Sequence, residues 1–390
     1  MASNTEALLA ARRQFPITES HAYFDIANMN SPPTCVTHAL ARFFQELQRG
    51  SGDKSAWMRE IESTRRKAAT LLGCDAGELA FCKNTSEALN IAANAIDWRA
   101  GDNVVVPVSE HPNNVFPWLN LRRRGVEVRM VADSGNALDA DALRAHVDAR
   151  TRAVAVADVS FHPGQRNDLE SIGALCGEVG AYLVVDGVQA AGLMDVKLHQ
   201  RGIAMWAASG HKGLLSPHGM GLLYCRRDLV PRLHPVYAAR NSMVPGSADD
   251  HFVEKPDAPL RPDAGRFEIG NYNYSGIYAM GAALDLLLGI GIANVERHVL
   301  ALGERLTDAL ARRGIERVGP ADPRRRSSIC AFKFAGDDWV EYFAGNNVIL
   351  SGRRGAIRIS LGLYNSFDEI DRFVALVDHK LGGSRARREA

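Results

Sequence analysis

Cysteine is scarce and scattered. The 390 residues hold six, at positions 35, 74, 82, 176, 225 and 330. None forms a C-x-x-C pair, so a structural zinc site or other metal centre is not expected, and a reduced, cytoplasmic setting fits best. Long apolar runs are missing too. None approaches the ~20 residues of a membrane span. The start, MASNTEALLAARRQF, lacks the apolar stretch and small-residue cleavage site of a secretory signal. Charge of one sign is absent: 46 Lys and Arg stand against 45 Asp and Glu. No nucleic-acid or membrane partner is therefore expected. No G-x-G-x-x-G follows the first strand and no G-x-x-x-x-G-K-[ST] occurs, which argues against a NAD-dependent dehydrogenase and a P-loop. What is present, 46% hydrophobic and 23% charged residues, is ordinary globular composition and excludes a disordered or fibrous chain. At ~150 residues per domain the length predicts two or three domains.

From about residue 79 short apolar runs alternate with amphipathic stretches. ELAFC, NVVVPV, VEVRMV, AVAVADVS, YLVVD, AMWAAS and MGLLYC read as strands. SEALNIAANAI, NNVFPWLNLRRR, ALDADALRAHVDA and DLESIGALCGEVG read as helices between them. Strands without polar alternation are covered on both faces. Alternation with helices predicts an α/β fold with a mostly parallel sheet, and ligands gather beyond the carboxyl ends of such strands. Residues 226–265, rich in Pro, Arg and Asp, break the pattern and read as an active-site or interface loop, or as a surface insertion. A helical span over about 276–313, broken near GIGIAN, leads into a small α/β unit. We predict a large domain over 1–275, whose N-terminal segment packs on the small domain. The connecting helix and small C-terminal domain follow over 276–381, and a disordered tail over 382–390.

Four features sit at strand ends. Asp186 closes the strand YLVVD, where a buried carboxylate calls for a cation; its plainer reading is a helix cap. Lys212, in ASGHKGLLSPHGMG, precedes a Gly-rich turn beside Ser209 and His211. A lysine in a closed site can lose its proton and form a Schiff base, whereas a lone loop lysine is usually solvated. Thr85 and Ser86 open a predicted helix whose N-terminus suits a phosphate, or they are a plain N-cap. His111 follows NVVVPV and could stack on a planar ring or act as an acid or base; a loop histidine without such a role is more common. Together they point to one sheet edge and form the set that pyridoxal phosphate (PLP) needs: a Schiff-base lysine, an acid for the ring nitrogen, a phosphate cradle and a stacking group.

At this point the sequence resembles the class V aminotransferase family, the branch of cysteine desulfurases, selenocysteine lyases and isopenicillin N epimerase-like proteins. The likeness runs from YFDIANMNSPP to SLGLYNSFDEIDRF, and VVDGVQAAG and SGHKGLLSPHGMGLLY are its most specific segments. The resemblance implies the PLP-dependent transferase fold of type I. It implies that Lys212 carries the cofactor, that Asp186 protonates its nitrogen, that Gln189 bonds its ring hydroxyl and that His111 stacks on it. Thr85, Ser86, Ser209 and His211 would hold the phosphate, and Arg358 the substrate α-carboxylate by a bidentate pair. RFEIGNYNYSG, with Asn271, resembles the segment that reaches a neighbouring subunit's phosphate site, which implies a homodimer with shared active sites.

The sequence departs from the desulfurase pattern in places. Asn271 stands where Thr is frequent. Phe161 replaces an Asn near the cofactor, a role Asn28 or His162 could take. Desulfurases present a nucleophilic cysteine on a loop just before the carboxylate arginine. Here that loop is NNVILSGRRGAIR, without cysteine, and Cys330 lies in an alternating strand that packs it away. Arg353 and Arg354 in this loop either meet a second acidic group of the substrate or are solvated. The expectation is a β-eliminating lyase acting on a C–S bond of an amino acid. Epimerase, aminotransferase and decarboxylating outcomes remain open on the same residues. A non-catalytic PLP-binding partner protein is the alternative of another class, and the intact lysine, aspartate, glutamine and arginine set argues against it.

Overall fold

The computed structural model describes residues 4–50, 52–132, 135, 137–246, 257–336 and 338–386. Helix α1 (Asn4–Arg12) and strand β1 (Ala22–Tyr23) precede the long helices α2 (Thr34–Arg49) and α3 (Lys54–Leu72). Then β2 (Leu79–Cys82), α4 (Thr85–Ala95), β3 (Asn103–Pro107), α5 (Phe116–Asn120), β4 (Glu127–Val131), α6 (Ala140–Arg144), β5 (Thr151–Ala157), α7 (Leu169–Val179), β6 (Tyr182–Asp186), β7 (Met205–Ser209) and β8 (Gly221–Cys225) alternate as the sequence predicts. They form one seven-stranded sheet in the order β2-β8-β7-β6-β5-β3-β4. Strands β4, β3, β5, β6 and β7 run parallel, and β8 is antiparallel to both its neighbours.

Alternate strand residues divide between two apolar layers, which is why the middles of β3, β5 and β6 carry no polar positions. Val105, Val154, Val156, Leu183 and Val185 pack into one core; Val104, Val106, Ala153, Ala155 and Val184 pack into the other. The strand order reverses between β3 and β5, the kind of switch point at which a crevice opens beyond the carboxyl ends.

Two predicted helices are much shorter than expected. Over 113–124 only Phe116–Asn120 is α-helical, flanked by 3-10 turns, because Pro112 and Pro117 lack the N–H a continuous ladder needs. The helix over 137–149 stops at Arg144; the Asp148 carboxylate accepts from Arg150 N–H at 2.8 Å and diverts the backbone into a turn. In the excursion 226–265, Val244 N–H donates to Pro259 O at 3.1 Å and Arg261 N–H to Ser242 O at 2.9 Å, so its arms pair; 247–256 lie outside the described residues.

Beyond it, α8 (Tyr274–Ile290) and α9 (Ile292–Ala311) meet at a 76° bend at Gly291. Among the described residues no single helix is long and apolar enough to cross a membrane. The small unit holds β9 (Glu316–Val318), β10 (Ile329–Lys333), α10 (Trp339–Gly345), β11 (Val348–Ile349), β12 (Ser351–Arg353), β13 (Ala356–Ser360) and α11 (Phe367–Ala386). Its four-stranded sheet has the order β12-β13-β10-β9. The N-terminal segment does pack here: β1 pairs with β11, and Arg12 bridges to Glu369 at 2.9 Å. The tail departs from expectation. The helix continues through Ala386, its last two residues, Arg385 and Ala386, being strong helix formers, and 387–390 lie outside the described residues.

Candidate active site

Four strands of the parallel set, β3, β5, β6 and β7, end at one crevice. Its cavity, of about 350 Å³, is lined by Asn28, Thr85, Ser86, His111, Asp186, Gln189, Ser209, His211, Lys212, Arg353 and Arg358. That volume lies in the range of small-molecule sites. These are all of the predicted site residues but one.

Asp186 ends β6, and Lys212 follows β7 on the neighbouring strand. Their spacing is fixed by interlocking glycine turns. A Cβ on Gly192 (φ +75) would meet the Gly213 carbonyl oxygen at 2.2 Å, and one on Gly213 would meet the Ala191 oxygen at 2.3 Å. The glycines of DGVQAAG and HKG thus let the lysine loop lie directly on the turn after Asp186. Asp186 is buried and accepts Val188 N–H at 3.1 Å. Burial pushes its carboxyl up to about 6, against the pull of Val188 N–H and Lys212. Lys212 Nζ has no hydrogen-bond partner among the described residues, and burial pushes the amine down to about 8, opposed by Asp186.

The phosphate-type pocket has a cleaner division of labour than the sequence suggested. Asn84, not Thr85 or Ser86, caps α4: its side chain accepts Glu87 N–H at 2.9 Å. Thr85 is thereby left for the cavity, where its N–H donates to Ser209 Oγ at 2.7 Å and its hydroxyl lies 2.8 Å from the same atom. His211 stacks on His218 at 4.2 Å, and burial, with His218 and Lys212 nearby, lowers it to about 4, so it is neutral at pH 7. His111 Nδ1 accepts Asn113 N–H at 3.1 Å and its ring meets the edge of Phe161 at 5.3 Å. Burial, then Lys212 and Arg358, lower its pKa as well.

Two carboxylates escaped the sequence reading. Glu110, just before His111, is buried and lines the cavity; it accepts Ala157 N–H at 2.7 Å and Asn114 Nδ2 at 3.0 Å. Burial raises it to about 7, with Asp186 adding a smaller push. Asp25, in YFDIANMN, pairs with Arg358. The polar residue inside an apolar N-terminal run was the available signal. Arg358 is 2% exposed, and its Nη2 donates to Asp25 Oδ1 at 3.3 Å, its Nε to Ser351 Oγ at 3.2 Å and its Nη1 to Phe161 O at 3.0 Å. The segment after Asp25 straps the two units together: Gln189 Nε2 donates to Ala27 O at 3.1 Å, and Asn30 N–H donates to His211 O at 2.8 Å.

The exception is Asn271. It lines a separate cavity with Lys83, Glu87 and Tyr272 and is not brought to the lysine. Its segment is pinned through Glu268, which pairs with buried Arg65 at 2.6 Å and accepts Phe81 N–H at 2.7 Å and Tyr272 OH at 2.6 Å. Arg353 reaches the cavity rim, and Arg354 lies over the Phe161 ring at 5.0 Å. The described residues of the 226–265 excursion do not line the cavity, and no cysteine does. Cys330 is fully buried in β10, its sulfur against Gly303 of α9. Elsewhere, side-chain atoms of Asp75, Glu78 and His199 lie within 4.8 Å of one another, and hydrogen bonds from His199 and Arg227 already occupy them.

Comparison with known proteins places this geometry. The chain matches the family Aminotransferase class-V over residues 22–373. It is 33% identical to a probable cysteine desulfurase of Methanothermobacter thermautotrophicus, over 92% of this chain and 94% of that relative. A solved cysteine desulfurase of Escherichia coli superimposes with a TM-score of 0.84 at 26% identity, covering 98% of this chain and 99% of the other. A solved cystine C–S lyase, 22% identical over 94% of this chain and 99% of its own, shares the fold with a TM-score of 0.85.

Proposed function

Because the chain belongs to the class-V aminotransferase family and is a PLP-dependent enzyme, we propose that it is a β-eliminating lyase. It would cleave a C–S bond of a cysteine-derived amino acid without a persulfide-relaying thiol. The residues present fit the cofactor. A buried amine with no hydrogen bond among the described residues and a buried carboxylate with no salt bridge share one cavity. An aldehyde and a basic ring nitrogen answer those two needs. Gln189 still has one amide N–H beyond its bond to Ala27 O. Thr85, Ser86, Ser209 and His211 gather small donors at the start of α4.

When bound, PLP supplies a cationic heterocycle that takes up the electron pair left at Cα. Lys212 Nζ would hold the aldehyde and serve as the base for the Cα proton. Asp186 would hold a proton at the ring nitrogen, and Gln189 would donate to the ring hydroxyl oxygen. His111, edge-on to Phe161, would help to cover the ring. Arg358 and Asn28 orient the substrate so that the Cα–H bond faces Lys212. Removal of that proton and departure of the β-thiolate would release a thiol and an enamine, which one water then hydrolyses in solution to pyruvate and ammonia.

One observation carries the choice of elimination. The segment just before Arg358, where a desulfurase presents its thiol, is the hairpin β12–β13. Arg353 pairs with Ala356, so its turn is only Arg354-Gly355, with φ of +48 and +73. Positive φ at both central residues is a type I′ turn, too tight to carry a mobile thiol. We therefore expect S-substituted cysteines to give equal amounts of thiol, pyruvate and ammonia, unchanged in a Cys330→Ala variant. Release of alanine and sulfane sulfur from free cysteine, lost in that variant, would instead make the enzyme a desulfurase. Cα deuterium exchange without net product would make it an epimerase; keto-acid exchange with a second amino acid, a transaminase; CO₂ release, a decarboxylase.

Arg353 stands at the rim and, among the described residues, donates only to its neighbour's Gly352 O, at 3.0 Å. A substrate with a second carboxylate would meet it in high dielectric. Arg353→Ala should raise KM for S-carboxyalkyl cysteines about 5-fold and leave S-alkyl cysteines unchanged, since rim charge pairs contribute about 1 kcal/mol. Steady-state kinetics on the two substrate types checks this. A homodimer also belongs to this reading. Ile269, 44% exposed beside Asn271, is an apolar side chain that a partner subunit would cover while Asn271 donates to its phosphate.

A further inference from the structure

Arg358 is not free to move onto a substrate. Its guanidinium has five N–H donors, and three are already engaged, by Ser351 Oγ, Asp25 Oδ1 and Phe161 O. Asp25 Oδ1 also accepts Ser351 Oγ at 3.0 Å, so aspartate, serine and arginine close a small ring on one side of the fork. Nη1 and Nη2 each make one of these bonds and each keep one N–H. Those two remaining donors are the pair a carboxylate takes in bidentate fashion. Asp25 itself is held by backbone: Phe24 N–H donates to Ile349 O at 2.7 Å, Ala27 N–H to Ser360 Oγ at 2.9 Å, and Asn28 N–H to Asp25 O at 3.0 Å. It is 6% exposed and does not line the cavity, so it meets no substrate atom.

We propose that Asp25 is a positioning residue for the substrate carboxylate: it locks the Arg358 fork at a fixed angle, with Ser351 as the bridge, and leaves two donors for the α-carboxylate. This rests on the reading of Arg358 as the substrate anchor. Two consequences pull apart. Orientation depends on Asp25, because a guanidinium on three bonds to one plane cannot swing. Affinity does not gain from Asp25, because a fixed anion behind the guanidinium opposes an arriving carboxylate. Loss of Asp25 should therefore lower turnover while leaving binding unchanged or tighter.

The test uses the cofactor-loaded enzyme and two readouts. Binding of L-alanine and of ethylamine, which lacks the carboxylate, is followed by the absorbance change of the cofactor. Turnover is read as solvent deuterium entering Cα of L-alanine, a step common to elimination, epimerisation and transamination. Asp25→Ala should lower exchange kcat about 100-fold, the scale of a misplacement near 1 Å, with L-alanine binding unchanged or up to about 3-fold tighter. Asp25→Asn keeps an acceptor oxygen and should lose only about 10-fold. Ethylamine binding should be the same in all three. Unchanged exchange in Asp25→Ala overturns the proposal, as does equal weakening of both ligands, which marks a merely structural role. If Asp25→Ala does not fold, the near-isosteric Asp25→Asn decides: wild-type exchange there overturns it. A wild type that exchanges Cα deuterium without β-elimination sinks the lyase reading alone; one that binds no amino acid sinks both.

Discussion

Replacing Lys212 with alanine should lower turnover by at least about 10⁴-fold, the upper end of what a positioned acid or base contributes. The proposed function gives the residue two tasks, and no neighbour can take either. The cavity's other cations are Arg358, held by three bonds, and Arg353 on the rim. Neither guanidinium loses a proton at working pH. The two histidines nearby are neutral, and His111 spends Nδ1 on Asn113 N–H. Borohydride treatment of the loaded wild type should fix the cofactor to the peptide that carries Lys212. A Lys212→Ala protein still labelled at the same place would refute the assignment.

The same amine predicts a pH dependence that an ordinary lysine would not show. Burial holds it at about 8 in the cofactor-free chain, against an unperturbed value of ~10.4. Only the neutral amine attacks an aldehyde. Cofactor capture should therefore speed up about tenfold per pH unit below 8 and level off above it. Stopped-flow absorbance checks this, and a rate still climbing at pH 10 would mean that the cavity leaves the amine in an ordinary environment.

The parts that were legible in the sequence are those where local pattern and tertiary role coincide. The central strands were visible because both their faces are buried, so that no polar residue interrupts Val154, Val156, Val184 or Val185. Lys212, Asp186 and His111 were visible because strand ends in a parallel sheet converge, so position along the chain already implies position at the site. What stayed hidden depends on partners distant in sequence. Asp25 and Arg358 lie 333 residues apart, and nothing near Asp25 announces an arginine. Glu110 was hidden by its neighbour: His111 drew attention, while the carboxylate turns back to Ala157 N–H on the next strand. Asn84 took the cap of α4 because it stands just before the first helical residue, where its side-chain oxygen accepts Glu87 N–H, and spacing alone did not separate it from Thr85 and Ser86. Helix ends were misread where prolines and an aspartate turn, rather than periodicity, set the boundary.

Asp186→Asn should cost about 10³-fold in turnover and at the same time stabilise the cofactor-free protein. The two effects share one cause. In the empty cavity a carboxylate sits almost out of water with no ion-pair partner, its pKa at about 6 against 3.8 in an unfolded chain. Between those values the folded state binds a proton that the unfolded state releases, so stability falls as pH rises through this window and stays low above about 6. That raised pKa is worth about 3 kcal/mol of lost stability at pH 8. An amide carries no charge to desolvate, so the cofactor-free variant should melt higher than wild type at pH 8, and the difference should vanish near pH 4. With cofactor bound the sign reverses. A cationic ring nitrogen beside a buried carboxylate is a desolvated ion pair, and removing one partner of such a pair costs 3–5 kcal/mol, roughly the predicted loss in rate. Melting curves of the cofactor-free pair at pH 4 and 8, run beside turnover of the loaded pair, check both halves. A variant that lost activity and stability together at pH 8 would show that the carboxylate is there to hold the fold, and its role at the ring nitrogen would fall.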